Sequence, residues 1–119
     1  MIQTATKKPS NIQTFSLPSC SVDLSARHIV KDGTVIALTA TEASLLEYLV
    51  QHAGRVVTME ELLVNVWGYS PLSRTRTVYV NICFLRNKIE QDPRQPQYIR
   101  TARGYGYWFK FEEGCEQAA

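Results

Sequence analysis

Eight of the 13 lysines and arginines fall between Arg74 and Lys110 (Arg74, Arg76, Arg86, Lys88, Arg94, Arg100, Arg103 and Lys110), against only Glu90 and Asp92 in the same stretch. The chemistry open to such a set is recognition of a polyanion, because clustered cations attract phosphates and displace their counterions. The rest of the chain differs. Met1 to Ser73 carries five basic and six acidic side chains, and Phe111 to Ala119 carries Glu112, Glu113 and Glu116, so the 119 residues sum to only +2. On charge alone, a basic helix and hairpin turned to solvent would explain the block equally well.

Catalytic and metal chemistry find little footing. His28 and His52 are isolated, and Cys20, Cys83 and Cys115 lie far apart with no CxxC pair. There is no HExxH and no glycine-rich phosphate loop, and Glu60-Glu61 is accounted for by helix capping. No nucleophile–base pair or ligand set emerges, so the expectation is no enzyme, no metal and no cofactor. An odd number of scattered cysteines suits a reducing cytoplasm. No segment approaches the roughly 18 apolar residues of a membrane helix, and the N-terminus lacks a secretory pattern. The expected setting is the cytoplasm, with no membrane partner.

The elements that must position the basic block can be read from pattern. Residues 1–14 (MIQTATKKPSNIQT) are polar and aperiodic, and read as a flexible linker or arm. One domain is expected over 15–111, followed by an acidic tail over 112–119 that frays. From Phe15 to Leu38 short strands are separated by turns: Val22–Leu24, then His28–Val30, the hairpin turn Asp32-Gly33, and Val35–Leu38. Pro18 confines the first strand to an edge or a break. Three or four antiparallel strands result, too few to stand without packing on the helical segments downstream.

Three helices come next. Thr39-Ala40-Thr41-Glu42 is a capping box, followed by the stripe Leu45, Leu46, Leu49 and a stop at Gly54. Thr58-Met59-Glu60-Glu61 reads as a second box, opening a helix with Leu62, Leu63 and Val66 inward that ends near Gly68. The third helix runs from about Arg74 to Glu90, with Val78, Ile82, Leu85 and Ile89 on one buried face and Pro93 and Pro96 closing it. Its opposite face presents Arg76, Val80, Cys83, Phe84 and Asn87, with Arg86 and Lys88 on the flanks. Tyr98–Ala102 and Gly106–Lys110 form a hairpin around Arg103-Gly104-Tyr105.

Two helices joined by a loop and followed by a basic hairpin make a winged helix-turn-helix of the α+β class: a four-stranded antiparallel sheet, three helices and a C-terminal hairpin wing. A helix fits the major groove, where every base pair shows a distinct donor–acceptor pattern. A hairpin beside it can carry one long cation, here Arg103, into an adjacent minor groove. Arg76 and Thr77, at the start of the third helix, sit where phosphate contacts are usual.

At this point the residues resemble the OmpR/PhoB-type winged-helix output domains of two-component response regulators. The resemblance spans about Phe15 to Phe111 and rests on three stretches in order. These are Leu38–Glu42 with Leu45-Leu46, Leu62–Gly68 (LLVNVWG), and Arg76–Val78 through Leu85–Ile89 with Thr101–Tyr107 (TARGYGY). It implies that the third helix enters the major groove of double-stranded DNA through Val80, Asn81, Cys83, Phe84 and Arg86. It puts Trp67, Arg76, Thr77 and Thr101 on phosphates, Arg103 at the wing's arginine position, and Tyr107 at the next aromatic position. The loop Gly68, Tyr69, Ser70, Pro71, Leu72 and Ser73 looks like the segment that can touch RNA polymerase. The resemblance also implies a receiver domain, absent from this chain, a sensor histidine kinase upstream in a phosphorelay, and a monomer that dimerises on tandem half-sites in bacterial transcription regulation.

The chain departs from the family where the family commonly has an acidic residue (Tyr79), a histidine (Asn81) and arginines (Cys83 and Phe84). Without those arginines the reading face loses a bidentate guanine contact, while Val80 and Phe84 can meet thymine methyl groups. The competing reading is a winged helix used for protein contact or RNA binding.

Overall fold

In the computed structural model, which describes residues 13–111 and the backbone of Glu116–Gln117, short alternating segments build an N-terminal sheet. Most of the arm expected over 1–14 and most of the acidic tail expected over 112–119 lie outside the described residues. Strands β1 (Thr14–Leu17), β2 (Cys20–Asp23), β3 (His28–Lys31) and β4 (Thr34–Ala37) pair antiparallel in sequence order. Phe15, Leu17, Cys20, Val22 and Ile29 point to the core at alternate positions. β1 stops at Leu17, before Pro18, as its missing N–H requires. Between β3 and β4, Asp32 (φ 52°) and Gly33 (φ 76°) are both left-handed, the two-residue turn that matches strand twist. At the far edge, β8 (Glu116–Gln117) lies against β1 as a fifth strand.

Helix α1 (Ala40–Gln51) opens on the expected capping box: Thr39 Oγ1 accepts from the Glu42 N–H at 3.0 Å, and Glu42 Oε1 accepts from the Thr39 N–H at 3.0 Å. Glu42 is nonetheless buried, and its charge is met by Lys88 Nζ at 2.6 Å. That ammonium also donates to the Ala37 carbonyl at 2.9 Å, so one cation ties the helix start to the strand before it.

The second box is half made. Thr58 Oγ1 accepts from the Glu61 N–H at 3.1 Å, but the Glu61 carboxylate turns outward instead of back to Thr58. It accepts from both terminal guanidinium nitrogens of Arg55, Nη1 and Nη2, at 3.1 and 2.7 Å, and from the Tyr48 hydroxyl at 2.6 Å. A bidentate cation outcompetes a single backbone N–H for a carboxylate, and Arg55 holds the Glu61 pKa down to about 2.

The helix this cap opens is not uniform. α2 (Met59–Leu62) is α-helical and passes into a π-helical turn over Leu63–Trp67. It closes on Gly68 at φ 70°, where the N–H groups of Gly68 and Tyr69 satisfy the carbonyls of Val64 and Leu63. The wider turn leaves Trp67 half-buried against the core.

Helix α3 (Thr77–Ile89) starts at Thr77 instead of near Arg74 and ends at Ile89. Its start is fixed by Thr75, whose Oγ1 accepts from the Thr77 N–H at 3.2 Å, leaving Arg74 in the preceding loop. Its end comes well before Pro93, because Glu90 is extended (ψ 145°) and buried. The Glu90 carboxylate accepts from the backbone N–H groups of Gln97, Tyr98 and Ile99 at 2.7, 3.0 and 2.8 Å. Three donors compensate the cost of burying that charge.

A second sheet completes the domain: β5 (Val57–Thr58), β6 (Ile99–Ala102) and β7 (Gly106–Phe109), in the order β5-β7-β6. β5 approaches β7 so closely that a Cβ at Gly106 would collide with the Val57 carbonyl, which is why glycine stands there. Phe109 packs edge-on to Phe15 across 6.2 Å, joining the two sheets beneath the helices. Leu45, Leu46, Leu49, Leu62, Ile82, Leu85 and Ile99 fill the space between, fully buried. Among the described residues no helix is long and apolar enough to cross a membrane.

Candidate nucleic-acid interface

One side of α3 anchors it and the other leaves the molecule. Val78, Ile82, Leu85 and Ile89 are each 0% exposed, whereas Tyr79, Val80 and Phe84 are 47%, 38% and 49% exposed. Arg76 precedes the helix and is exposed, its guanidinium 5.1 Å from the Tyr79 ring centroid. Thr77, Asn81 and Cys83 are half-buried, and Asn87 is exposed. Asn81 and Asn87 each donate one amide N–H to the carbonyl a turn back, Thr77 and Cys83, at 2.9 and 3.0 Å. Each amide thus keeps its oxygen and a second hydrogen for another partner. Cys83 is a free thiol, whereas buried Cys20 donates its thiol to the Ile89 carbonyl at 3.9 Å; Cys115 lies outside the described residues.

The wing is bolted to this helix by Arg86. Its Nε and Nη2 donate to the Ile99 carbonyl at 3.1 and 2.8 Å, and Nη2 also donates to Thr101 Oγ1 at 2.8 Å. The guanidinium lies 5.6 Å from the Tyr107 ring centroid. Tyr107 is itself buried, and burial pushes its phenol above the usual range despite the nearby cation. The Thr101 hydroxyl accepts from Arg86 and retains its own hydrogen as a donor for an anion.

Of the residues singled out in the sequence, the fold therefore brings Arg86, Thr101 and Tyr107 into one cluster at the root of the wing. Val80 and Phe84 share the open face of α3, with Cys83 between them in sequence. Arg103 is exposed in the turn between β6 and β7, beside Gly104 at φ 84°. Trp67 sits at the end of the π-helical turn, half-buried against the core. Beyond it the loop from Gly68 to Leu72 is exposed, Ser73 half so, and Leu72 is 86% exposed.

The fold also shows residues that pattern did not single out. Tyr105, at the wing tip, is 70% exposed, and its place between Gly104 and Gly106 was the available signal. Arg86 as a helix-to-wing bolt had no local signal, because its partners lie on a strand that only the tertiary fold brings alongside.

Comparison with known proteins agrees with this geometry. Residues 33–109 match the family described as "Transcriptional regulatory protein, C terminal". A probable transcriptional regulator, ycf27 of Cyanidium caldarium, is 44% identical over 106 residues, covering 85% of this chain and 43% of that protein. The chain thus spans less than half the length of that curated relative. Among solved structures, the Klebsiella pneumoniae RstA DNA-binding domain, crystallised with the RstA box, is similar with TM-score 0.69 and 32% identity, covering 82% of this chain and 97% of that one. The Thermotoga maritima response regulator DrrB, an OmpR/PhoB homologue, is similar with TM-score 0.71 and 33% identity, over 82% of this chain and 44% of that one. The match covers both α3 and the β6–β7 hairpin, and the chain belongs to the OmpR/PhoB-type family of C-terminal transcriptional regulatory domains: a winged-helix DNA-binding domain of the response-regulator type, and not an enzyme.

Proposed function

We propose that this domain reads double-stranded DNA by laying α3 in a major groove and the β6–β7 turn in the adjacent minor groove. The observation that carries the reading is the junction made by Arg86, which presents the open face of α3 and the Arg103 turn as one unit. In this arrangement Val80, Asn81, Cys83 and Phe84 face base edges. Arg76, Thr77, Thr101 and Trp67 hold phosphates, and Arg103 enters the minor groove. Arg86 and Tyr107 act from behind, by fixing the wing, with the remaining guanidinium nitrogen of Arg86, Nη1, left to reach a phosphate.

The domain works in the cytoplasm as the output half of a longer response regulator, whose receiver domain is phosphorylated by a sensor histidine kinase. Two copies occupy tandem half-sites. The exposed loop from Gly68 to Ser73, with Leu72 at its most open point, contacts RNA polymerase.

The test is a binding titration against a pool of randomised duplexes, with selection, at two salt concentrations. A repeated half-site motif with affinity falling steeply as salt rises is expected, since each phosphate contact releases counterions. No motif, with weak binding even at low salt, would favour a winged helix used for protein contact; a preference for RNA over duplex DNA would favour the RNA reading.

A further inference from the structure

The stretch Thr77 to Leu85, which spans most of α3, contains no charged side chain. Its open face instead carries the apolar side chains Val80 and Phe84, each more than a third accessible, with exposed Tyr79 about a quarter-turn to one side. The cations stand around this centre. Arg74 and Arg76 precede the helix, Arg103 sits on the wing, and Arg86 is turned aside to Ile99 and Thr101. The surface is therefore a cationic rim about an apolar floor.

A duplex presents the complementary arrangement, with phosphates along both edges of the major groove and base edges at its floor. On that floor the one apolar group is the C5 methyl of thymine. We infer that the open face of α3 selects half-sites by seating thymine methyl groups against Val80 and Phe84. The inference rests on the DNA-reading orientation proposed above and names what that orientation recognises. Asn87, exposed and with an amide oxygen and hydrogen to offer, suits the N6 and N7 edge of an adenine, so its chemistry also favours A·T pairs. Within α3 itself the one side chain with the two forked donors that guanine O6 and N7 require is Arg86, which is committed to the wing, while Arg76 precedes the helix with its guanidinium 5.1 Å from the Tyr79 ring centroid.

The experiment takes the duplex recovered by selection and resynthesises it with deoxyuridine in place of thymine, one position at a time. This removes a methyl and keeps every hydrogen-bonding group. At one or two positions per half-site the affinity is expected to fall by about fourfold per methyl, the effect of exposing one buried apolar carbon. In the Phe84→Ala and Val80→Ala variants that sensitivity should vanish at the position each residue covers. Both residues are partly exposed, so folding is expected to persist and can be checked by circular dichroism. Affinity that ignores the methyl at every position would overturn the inference and leave DNA reading intact. So would a thymine sensitivity that survives in both variants, because other groups would then be responsible. If selection yields no motif at all, the orientation fails and the inference falls with it.

Discussion

The two faces of α3 are both apolar, yet only one is core. Inward, Val78, Ile82, Leu85 and Ile89 are sealed between α1 and the sheets. Outward, Tyr79, Val80 and Phe84 meet water. Residue type does not separate the two faces; what separates them is whether the chain supplies something to cover each. A monomeric domain tolerates scattered exposed hydrophobic residues, but a cluster on one helix face beside a cationic rim is a surface awaiting a partner. The same contrast holds between two arginines. Arg86 is consumed by the fold, whereas Arg103 is held out at the end of a tight turn.

The comparison can be broken most forcefully from the inside. Ile82→Ala is expected to lower stability by about 2–5 kcal/mol, a large part of what a domain of this size possesses, as read by chemical denaturation. Arg86→Ala comes next, with a loss of about 1.5–3 kcal/mol because its charge-assisted bonds to Ile99 and Thr101 disappear. Lysine at that position should rescue little of it, lacking the planar fork that spans both acceptors. Arg103→Ala should leave the melting temperature unchanged and weaken duplex binding about tenfold; unchanged affinity would remove the wing from the interface. Phe84→Ala should shift stability by no more than about 0.5 kcal/mol, in contrast to its buried neighbour Leu85.

The smallest effect belongs to the Arg55–Glu61–Tyr48 cluster. The Glu61 pKa is about 2 in the folded chain against an ordinary 4.5, so its contribution is fully present above 4.5. It is lost as pH falls towards 2, as a depressed carboxylate requires. Melting temperatures of the parent and Glu61→Gln should therefore converge over that acid window. The gap at neutral pH should be small, because Arg55 is half exposed and its pairing is screened.

Much of this architecture was legible in the residues. Thr39 and Glu42 fixed the start of α1, Asp32-Gly33 fixed a hairpin, and the 4, 3, 4 spacing from Val78 to Ile89 fixed the buried face of α3. Misreadings arose where a distant group competed with a local rule. Glu61 has the right spacing for a capping box, but Arg55 and Tyr48 take its carboxylate. The segment after Leu62 has helical periodicity, yet widens into a π-helical turn before Gly68. The end of α3 near Glu90 is legible, and Pro93 and Pro96 look like its cause, whereas the Glu90 carboxylate itself, reaching Gln97, Tyr98 and Ile99, turns the chain. The roles of Arg86 and Tyr107 were hidden for the same reason: their partnership crosses from helix to strand, and no sequence window contains both sides of it.

The wing and α3 share two fastenings, the Arg86 guanidinium at Ile99 and Thr101 and the Glu90 carboxylate at the entry to β6. Together they make a calliper with a set gape. For a duplex grasped between the helix and the Arg103 turn, the protein has little freedom to adjust the span from one groove to the next. The adjustment falls to the nucleic acid, whose twist and groove width vary with base sequence. Base pairs that neither arm touches would thus be sorted by how readily they deform to the gauge.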